Sequence, residues 1–139
     1  MNPNTDINTA NRTWEWLFRA SSAYVLPGTV MLAANFEHRS GDVQARTVLL
    51  TGGNTIPSIT VNAEPIGSLR LPNINNIDLR VSKRFNLGRR RRLDGQINLF
   101  NVMNVNPTTT RIVQSGATFL KPTAILPARI LDFNVAYSF

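Results

Sequence analysis

The stretch Arg129-Ile-Leu-Asp-Phe-Asn-Val-Ala-Tyr-Ser-Phe139 decides the fold of this chain. Its apolar residues lie at every second position from Leu131 onward, and Asp132 and Asn134 lie between them. Because successive side chains of a strand point to opposite faces of a sheet, this alternation predicts a strand with one apolar face. A strand of about ten residues with an outward apolar row and aromatic residues near its end is what a transmembrane β-barrel requires.

The composition fits one folded domain. The 139 residues include 42% hydrophobic side chains, which excludes general disorder, and only 17% charged side chains, which is low for a soluble domain. The formal charge of +7 raises nucleic acid or an anionic membrane surface as partners. The sequence contains no cysteine, so it excludes disulfides, thiolate metal sites and cysteine nucleophiles.

Neither a transmembrane helix nor a signal peptide is predicted in the sequence as given. It has no run of about 18 apolar residues, so no transmembrane helix is predicted, whereas transmembrane strands stay open. Residues 1–6 lack the basic start and apolar segment of a signal peptide. We therefore expect either a cytoplasmic protein or an export signal in an upstream segment, and residues 1–12 are predicted to be disordered or a loop.

Four further segments alternate in the same way as the last one. Short turns at Pro27-Gly28 and Gly88–Arg92 each connect two of these strands into a hairpin. Residues 40–72 and 101–127 are rich in Gly and Pro and are predicted as long loops. Within the first loop only Thr47–Leu50 shows a strand pattern. Short and long connections therefore alternate, as they do in outer-membrane barrels. The pattern predicts an all-β, antiparallel up-and-down meander of about five strands, near residues 13–26, 29–39, 73–87, 93–101 and 129–139.

The run Arg89–Arg92 is the strongest charge feature. Arginine side chains bind phosphates bidentately, so a phosphate-binding patch is one interpretation. Nucleic-acid recognition is expected to interleave exposed aromatic and basic residues, yet the nearest aromatic residues, Phe85 and Phe100, lie outside the run. We therefore favour a solvated turn that faces lipid headgroups, and we predict no nucleic-acid partner.

No catalytic or metal-binding constellation is visible. His38 is the only histidine, and it has neither convergent ligands nor a positioned nucleophile. Gly52-Gly53 is not followed by the Lys-Ser/Thr pair of a phosphate-binding loop. The carboxylates in the strands share the polar face with arginines, so we expect cross-strand ion pairs rather than an acid–base pair. The sequence predicts no enzyme, no cofactor and no metal site.

Six segments carry a resemblance to a known family: Tyr24–Gly28, Ser40-Gly41, Asn76–Phe85, Leu99–Asn104, Pro127–Ile130 and the terminal strand. Taken in order, they resemble the C-terminal end of TonB-dependent outer-membrane receptors. Within that family the chain is most similar to the large Oar-like receptors, which carry a carboxypeptidase-regulatory-like domain at their N-terminus. The resemblance covers the chain from about residue 13.

The resemblance implies a plugged barrel of about 22 strands, of which this chain would be a C-terminal fragment. Such receptors take up siderophore, cobalamin or oligosaccharide-type ligands across the outer membrane of Gram-negative-type bacteria. The implied partners are outer-membrane lipid, the barrel assembly machinery and, only through the missing N-terminal region, the TonB complex. The chain would contribute barrel wall, outer loops and a C-terminal assembly signal.

The resemblance also implies roles for individual residues. Residues within 41–72 and 104–127 would touch ligand. The assembly signal would comprise Val135, Tyr137 and Phe139. The lipid-facing set is Trp14, Trp16, Phe18, Val30, Leu32, Phe36, Ile77, Leu79, Val81, Leu131 and Phe133. The lumen-facing set is Asp78, Arg80, Arg84, Asp94, Gln96, Asn98, Asp132 and Asn134.

Two alternatives remain open from the sequence. One is a soluble, basic, all-β module that packs its apolar faces as a sandwich and binds nucleic acid through the arginine turn. The other is an open reading frame with no independent function. Partitioning between water and detergent separates the first alternative from the barrel.

Overall fold

A computed structural model describes residues 10–88 and 91–139 of the chain. These ranges contain strands and no helix, and therefore no helix long and apolar enough to cross a membrane. The predicted all-β, antiparallel fold is confirmed. Most of the predicted N-terminal loop (residues 1–9), together with Arg89 and Arg90 of the arginine run, lies outside the described residues.

Eleven strands follow one another along the described chain. They are β1 (Leu17–Leu26), β2 (Val30–Arg39), β3 (Val43–Gln44), β4 (Thr47–Thr51), β5 (Ser58–Asn62), β6 (Leu69–Arg70), β7 (Ile74–Gly88), β8 (Arg91–Phe100), β9 (Thr108–Arg111), β10 (Pro122–Ile125) and β11 (Ile130–Ser138). The five long strands form one sheet in the order β1-β2-β7-β8-β11.

The chain divides into two compact units. The sheet unit, residues 17–38, 75–106 and 127–139, holds most of the five-stranded sheet. The loop unit, whose described residues are 10–16, 39–74 and 107–126, is built from the two long connections and the segment before β1. Each long connection joins strands that are neighbours in the sheet, so the topology is a meander with two large insertions.

The long connections are more ordered than their glycine and proline content predicts. They contain three two-stranded ribbons, β3 with β6, β4 with β5 and β9 with β10. The alternation at Thr47–Leu50 becomes β4, which pairs with β5 because both are rich in the β-branched residues that favour strands. Gly52, at φ 91°, closes the turn between them by donating its N–H to the Pro57 carbonyl at 3.1 Å. The strand pattern predicted at Thr47–Leu50 is therefore confirmed as β4, whereas the other five short strands in the predicted long loops were not predicted.

The first long strand begins at Leu17, four residues later than Thr13, where the alternation predicts its start. The reason is that Trp14 is held in the loop unit by Arg70. The Arg70 Nη2 donates to the Trp14 carbonyl at 2.8 Å, and the guanidinium lies 4.6 Å from the centroid of the Trp14 ring. Trp14 and Trp16, which were predicted within the first strand, therefore precede the sheet.

Few apolar side chains are buried, and those that are belong to the loop unit. Among the described residues the buried hydrophobic ones are Ala45, Leu71 and Ile74. In the sheet unit large apolar side chains are instead exposed, including Phe133 at 65% and Val135 at 75%. A sheet normally buries one apolar face against another layer of secondary structure. Within the sheet unit no second layer of strands covers this face.

Candidate functional site

The pairing of β7, β8 and β11 aligns their apolar side chains into cross-strand rows. Because β7 and β11 each pair antiparallel with β8, the β8 residues from Arg92 to Leu99 have one direct partner on either side. Side chains alternate between faces along a strand, so alternate rows share a face. The rows of the apolar face are Leu79–Leu99–Leu131, Val81–Ile97–Phe133, Lys83–Gly95–Val135 and Phe85–Leu93–Tyr137.

The apolar face continues onto β1 and β2. The Arg84 N–H donates to the Thr29 carbonyl at 3.2 Å, and His38 hydrogen-bonds Asn75; both pairs fit one antiparallel register between β2 and β7. That register places Leu32 beside Val81. Phe18 packs edge-on against Phe36 with ring centroids 6.1 Å apart. The residues predicted to face lipid from β1, β2 and the first half of β7 are Phe18, Val30, Leu32, Phe36 and Ile77, and they alternate along their strands as expected.

The opposite face of the same strands carries a connected polar ladder. Arg80 Nε donates to Asn98 Oδ1 at 2.8 Å, and Gln96 Nε2 donates to the same oxygen at 2.9 Å. Asn98 Nδ2 donates to Asp132 Oδ2 at 2.9 Å, and Asn134 Nδ2 donates to that oxygen at 2.7 Å. The polar ladder thus links β7, β8 and β11 through Asn98, whose side chain is buried although the network is polar.

An ion pair extends the polar ladder toward the short hairpin. Arg84 Nε lies 2.7 Å from Asp94 Oδ1, so the predicted cross-strand ion pair forms on this face. Asp78 has a different role at the other end of β7, where its Oδ1 accepts from the Asn101 backbone N–H at 2.9 Å and from Asn76 Nδ2 at 3.1 Å. All eight residues predicted to face the lumen therefore lie on the face opposite the apolar rows.

The polar face is also the hollow one. A cavity of about 520 Å³ is lined by Met31, Ser82, Arg84, Gln96 and Asn134. A second, of about 390 Å³, lies against β1, β2 and the first half of β7. Small side chains such as alanine and serine contribute to both. Hydrogen-bonding groups around open hollows form a surface suited to water or to a polar polypeptide, whereas the opposite face is suited to an apolar environment.

Two asparagines fasten the base of the second long connection, a role the sequence analysis missed. Asn101 and Asn104, at φ 50° and 51°, adopt the left-handed conformation that asparagine tolerates better than most residues. Asn101 Nδ2 donates to the carbonyls of Val105 and Pro127 at 2.7 and 2.8 Å. Asn104 Oδ1 accepts from the Arg129 N–H at 3.0 Å. The Leu99–Asn104 motif therefore ties β8 to the start of β11.

Gly41 fastens the base of the first long connection within the loop unit. A Cβ on Gly41 would lie 1.8 Å from the Leu71 carbonyl oxygen, so only glycine fits there. The Gly41 N–H donates to Asn73 Oδ1 at 3.3 Å, and Ser40 exchanges hydrogen bonds with the Trp16 backbone. These contacts explain why the Ser40-Gly41 pair follows the second strand.

The remaining candidate residues do not assemble a reactive site in the described part of the chain. His38 stacks on Phe36 at a centroid distance of 6.4 Å and bonds Asn75. The described residues contain no group of three or more His, Asp or Glu side chains that could hold a metal ion. Of the arginine run, Arg91 and Arg92 begin β8.

The chain was compared with known proteins at three levels. Protein-family models, curated protein sequences and solved structures yield no match. The resemblance to TonB-dependent receptors therefore stays a prediction. The contrast between the apolar and the polar face of the sheet is the structural feature that bears on function.

Proposed function

We propose that this chain is a segment of the wall of an outer-membrane β-barrel of the TonB-dependent receptor type, in a Gram-negative-type bacterium. On this proposal the apolar face contacts outer-membrane lipid, and the polar ladder faces the lumen and its plug. Neighbouring strands of the complete barrel cover the free edges of β1 and β11. The TonB complex would act through a part of such a receptor other than this segment, and the chain would serve uptake of a siderophore, cobalamin or oligosaccharide-type ligand.

The observation that carries the proposal is the contrast between the two faces of the five-stranded sheet. On β11 the apolar side chains of Leu131, Phe133 and Val135 are more than half exposed, while Asp132 and Asn134 on the reverse face are hydrogen-bonded. Soluble sheets show the opposite arrangement, with their apolar face buried and their polar face in water. A membrane barrel alternates apolar-out and polar-in along every strand.

Strand length supports the same proposal. The strands β1, β2 and β8 have ten residues each. At ~3.4 Å per residue a ten-residue strand is ~34 Å long, and a tilt of ~45° gives it a height of ~24 Å. That height matches the apolar band of about 25 Å on the outside of membrane barrels.

The connections give the wall an orientation. The short hairpins after β1 and β7 belong at the periplasmic side, where such barrels have tight turns. The loop unit, with Arg46, Arg70 and Arg111, then belongs to the outer loops. Tyr137 and Phe139, whose ring centroids are 6.0 Å apart, stand with Val135 on the apolar face as the assembly signal that the barrel assembly machinery would read.

The experiment exploits the absence of cysteine from the sequence. Single cysteines are introduced at adjacent positions of β11, Phe133→Cys and Asn134→Cys, and the chain is refolded into phosphatidylcholine vesicles. A charged, water-soluble maleimide is expected to label Asn134→Cys much faster than Phe133→Cys, because only the polar face meets water. A second pair on β8, Ile97→Cys and Gln96→Cys, repeats the comparison on a central strand.

Denatured chains provide the control, because both cysteines of a pair should then react at one rate. Equal labelling of the two faces in vesicles would contradict the barrel-wall proposal. The soluble alternative predicts a different result: the chain would remain in the aqueous fraction without detergent and bind DNA with an affinity that falls steeply with salt.

A further inference from the structure

One charged side chain interrupts the apolar face. In the four cross-strand rows of β7, β8 and β11, Lys83 is the single charged residue, and its row partners are Gly95 and Val135. The register between β2 and β7 adds Val30 on its other side. A lysine surrounded by apolar positions of a lipid-facing wall is costly unless its ammonium group reaches the interface or an anion.

The Lys83 side chain points along the face toward the short hairpin. Its Nζ lies 5.1 Å from the centroid of the Phe85 ring, and Phe85 is two residues nearer to the hairpin. Phe85 and Tyr137 belong to the same cross-strand row, which is the row nearest to the hairpin. The Lys83 ammonium group therefore lies close to a row with two aromatic side chains. Aromatic residues and lysines of this kind collect at the boundary between the hydrocarbon and the headgroups.

A notch in the apolar face adjoins the Lys83 side chain. Gly95 has no side chain, and a Cβ built there would meet nothing within 4 Å. The notch is bordered by Lys83 and Val135 in its own row and by Ile97 and Leu93 in the rows on either side. Three of its four neighbours are apolar and its width is that of one missing side chain, so an acyl chain can lie across the glycine.

The Lys83 ammonium group also lacks a carboxylate partner among the described residues. The described ion pairs join Arg19 to Glu37, Arg39 to Asp42 and Arg84 to Asp94, none of which includes Lys83. The cross-strand rows of the apolar face contain no aspartate or glutamate. An anion that neutralises Lys83 on this face must therefore come from outside the described chain.

We propose that Lys83 and the Gly95 notch bind one anionic glycerophospholipid, with the headgroup phosphate on the Lys83 ammonium and an acyl chain across Gly95. This inference rests on the proposed function, because it requires the apolar face to contact lipid. The occupant belongs to the leaflet at the short-hairpin end of the sheet, since the ammonium group points that way. Phosphatidylglycerol is the probe, because its net negative charge complements lysine and its acyl chains can be matched to those of phosphatidylcholine.

The test is native mass spectrometry of the 139-residue chain in detergent, titrated with phosphatidylglycerol or with phosphatidylcholine of identical acyl chains. Lys83→Gln is expected to weaken phosphatidylglycerol binding about fivefold and to leave phosphatidylcholine binding unchanged. The matched control is Lys121→Gln, which removes the other lysine, an exposed one in the loop unit, and should change neither affinity. Gly95→Leu fills the notch and should weaken binding of both lipids.

Each result decides between the two proposals. Equal phosphatidylglycerol affinity in Lys83→Gln and Lys121→Gln would overturn the lipid site while leaving the barrel wall intact. Competition by millimolar inorganic phosphate as effective as that by the lipid would assign Lys83 to free anions and also overturn it. Failure of the chain to float with vesicles in a density gradient would contradict both the lipid site and the proposed function.

Discussion

Asn101 shows how much a single side chain holds at the base of a long connection. Its backbone has φ 50°, its side chain is buried, and its amide group bonds Val105 on one side of the loop and Pro127 on the other. The left-handed conformation costs most L-residues about 1–2 kcal/mol, and asparagine tolerates it through local hydrogen bonds. Asn101 thus adds side-chain bonds at the loop base to the Asn104–Arg129 bond and to the Phe100–Ile130 strand pair beside it.

Replacing Asn101 by alanine should lower the free energy of unfolding by about 3 kcal/mol, since it adds conformational strain and removes the amide that bonds the partly buried carbonyls of Val105 and Pro127. Urea unfolding in detergent micelles, followed by far-ultraviolet circular dichroism, measures this loss. Asn101→Gly should lose less, because glycine accepts the backbone conformation. Asn106→Ala, at an exposed position five residues later, serves as the control and should change the free energy little. Equal effects at 101 and 106 would refute this role.

Gly41 sets a steric limit in the loop unit. Gly41→Ala would place a methyl group 1.8 Å from the Leu71 carbonyl oxygen, so the backbone must move. We expect a cost of about 3 kcal/mol or more. Trp14 and Trp16 both lie in the loop unit, so a shift in tryptophan emission reports the change directly.

Gly95→Ala is the matched control for Gly41→Ala, because a Cβ at position 95 has open space around it. It should leave both the tryptophan emission and the unfolding midpoint near those of the unmodified chain. If Gly41→Ala behaved in the same way, the close approach of Gly41 to Leu71 would not exist in solution.

These residue-scale devices could not be predicted from the sequence. Asn101 and Gly41 act on partners 26 and 30 positions away, Pro127 and Leu71, and nothing in the local pattern marks those distant carbonyls. The direction of side chains within the strands could be predicted, because alternation alone assigns each residue to a face. Lys83 departs from that alternation, and only the register showed that Gly95 faces it.

At the scale of elements, β8 is the strand on which the polar ladder depends. Asn98 accepts from Arg80 and Gln96 and donates to Asp132, so it joins the strands on both sides. Asn98→Ala would remove the amide that hydrogen-bonds both the Arg80 guanidinium and the Asp132 carboxylate. We expect a loss of about 2–3 kcal/mol in the free energy of unfolding.

The control for Asn98→Ala is Asn86→Ala, because Asn86 is an exposed residue of β7 on the same face of the sheet as Asn98. Its effect should stay within about 0.5 kcal/mol, as for other surface substitutions. Urea unfolding in micelles again gives both values. A loss at Asn98 no larger than that at Asn86 would mean that the polar ladder contributes nothing measurable.

The long strands were predictable as elements, and the short ribbons were not. Each long strand repeats its alternation over nine or more residues, which gives a strong signal. The strands β3 and β6 have two residues each, too few for any period to emerge. Their pairing depends on residues far apart in the sequence, such as Val43 with Arg70. The boundary error at β1 has the same origin, because Arg70 holds Trp14 away from the strand.

For the whole molecule, the order of strands predicts a gradient of stability. The central strands β7 and β8 have a partner on both sides, whereas β1 and β11 have one partner each in the described chain. In detergent micelles the amides of β7 and β8 should therefore exchange with deuterium more slowly than those of β1 and β11. Hydrogen exchange followed by mass spectrometry of peptides measures the difference. Faster exchange in β8 than in β11 would contradict the observed order.

The register between β8 and β11 is specified twice over. A slip of one residue would bring Asp132 and Asn134 to the apolar face and Phe133 and Val135 to the polar face, because it exchanges the two faces of β11. A slip of two would keep the faces but part Asp132 from Asn98. Two independent interactions, the solvation of each face and the Asn98–Asp132 hydrogen bond, therefore favour the observed register over both neighbouring ones.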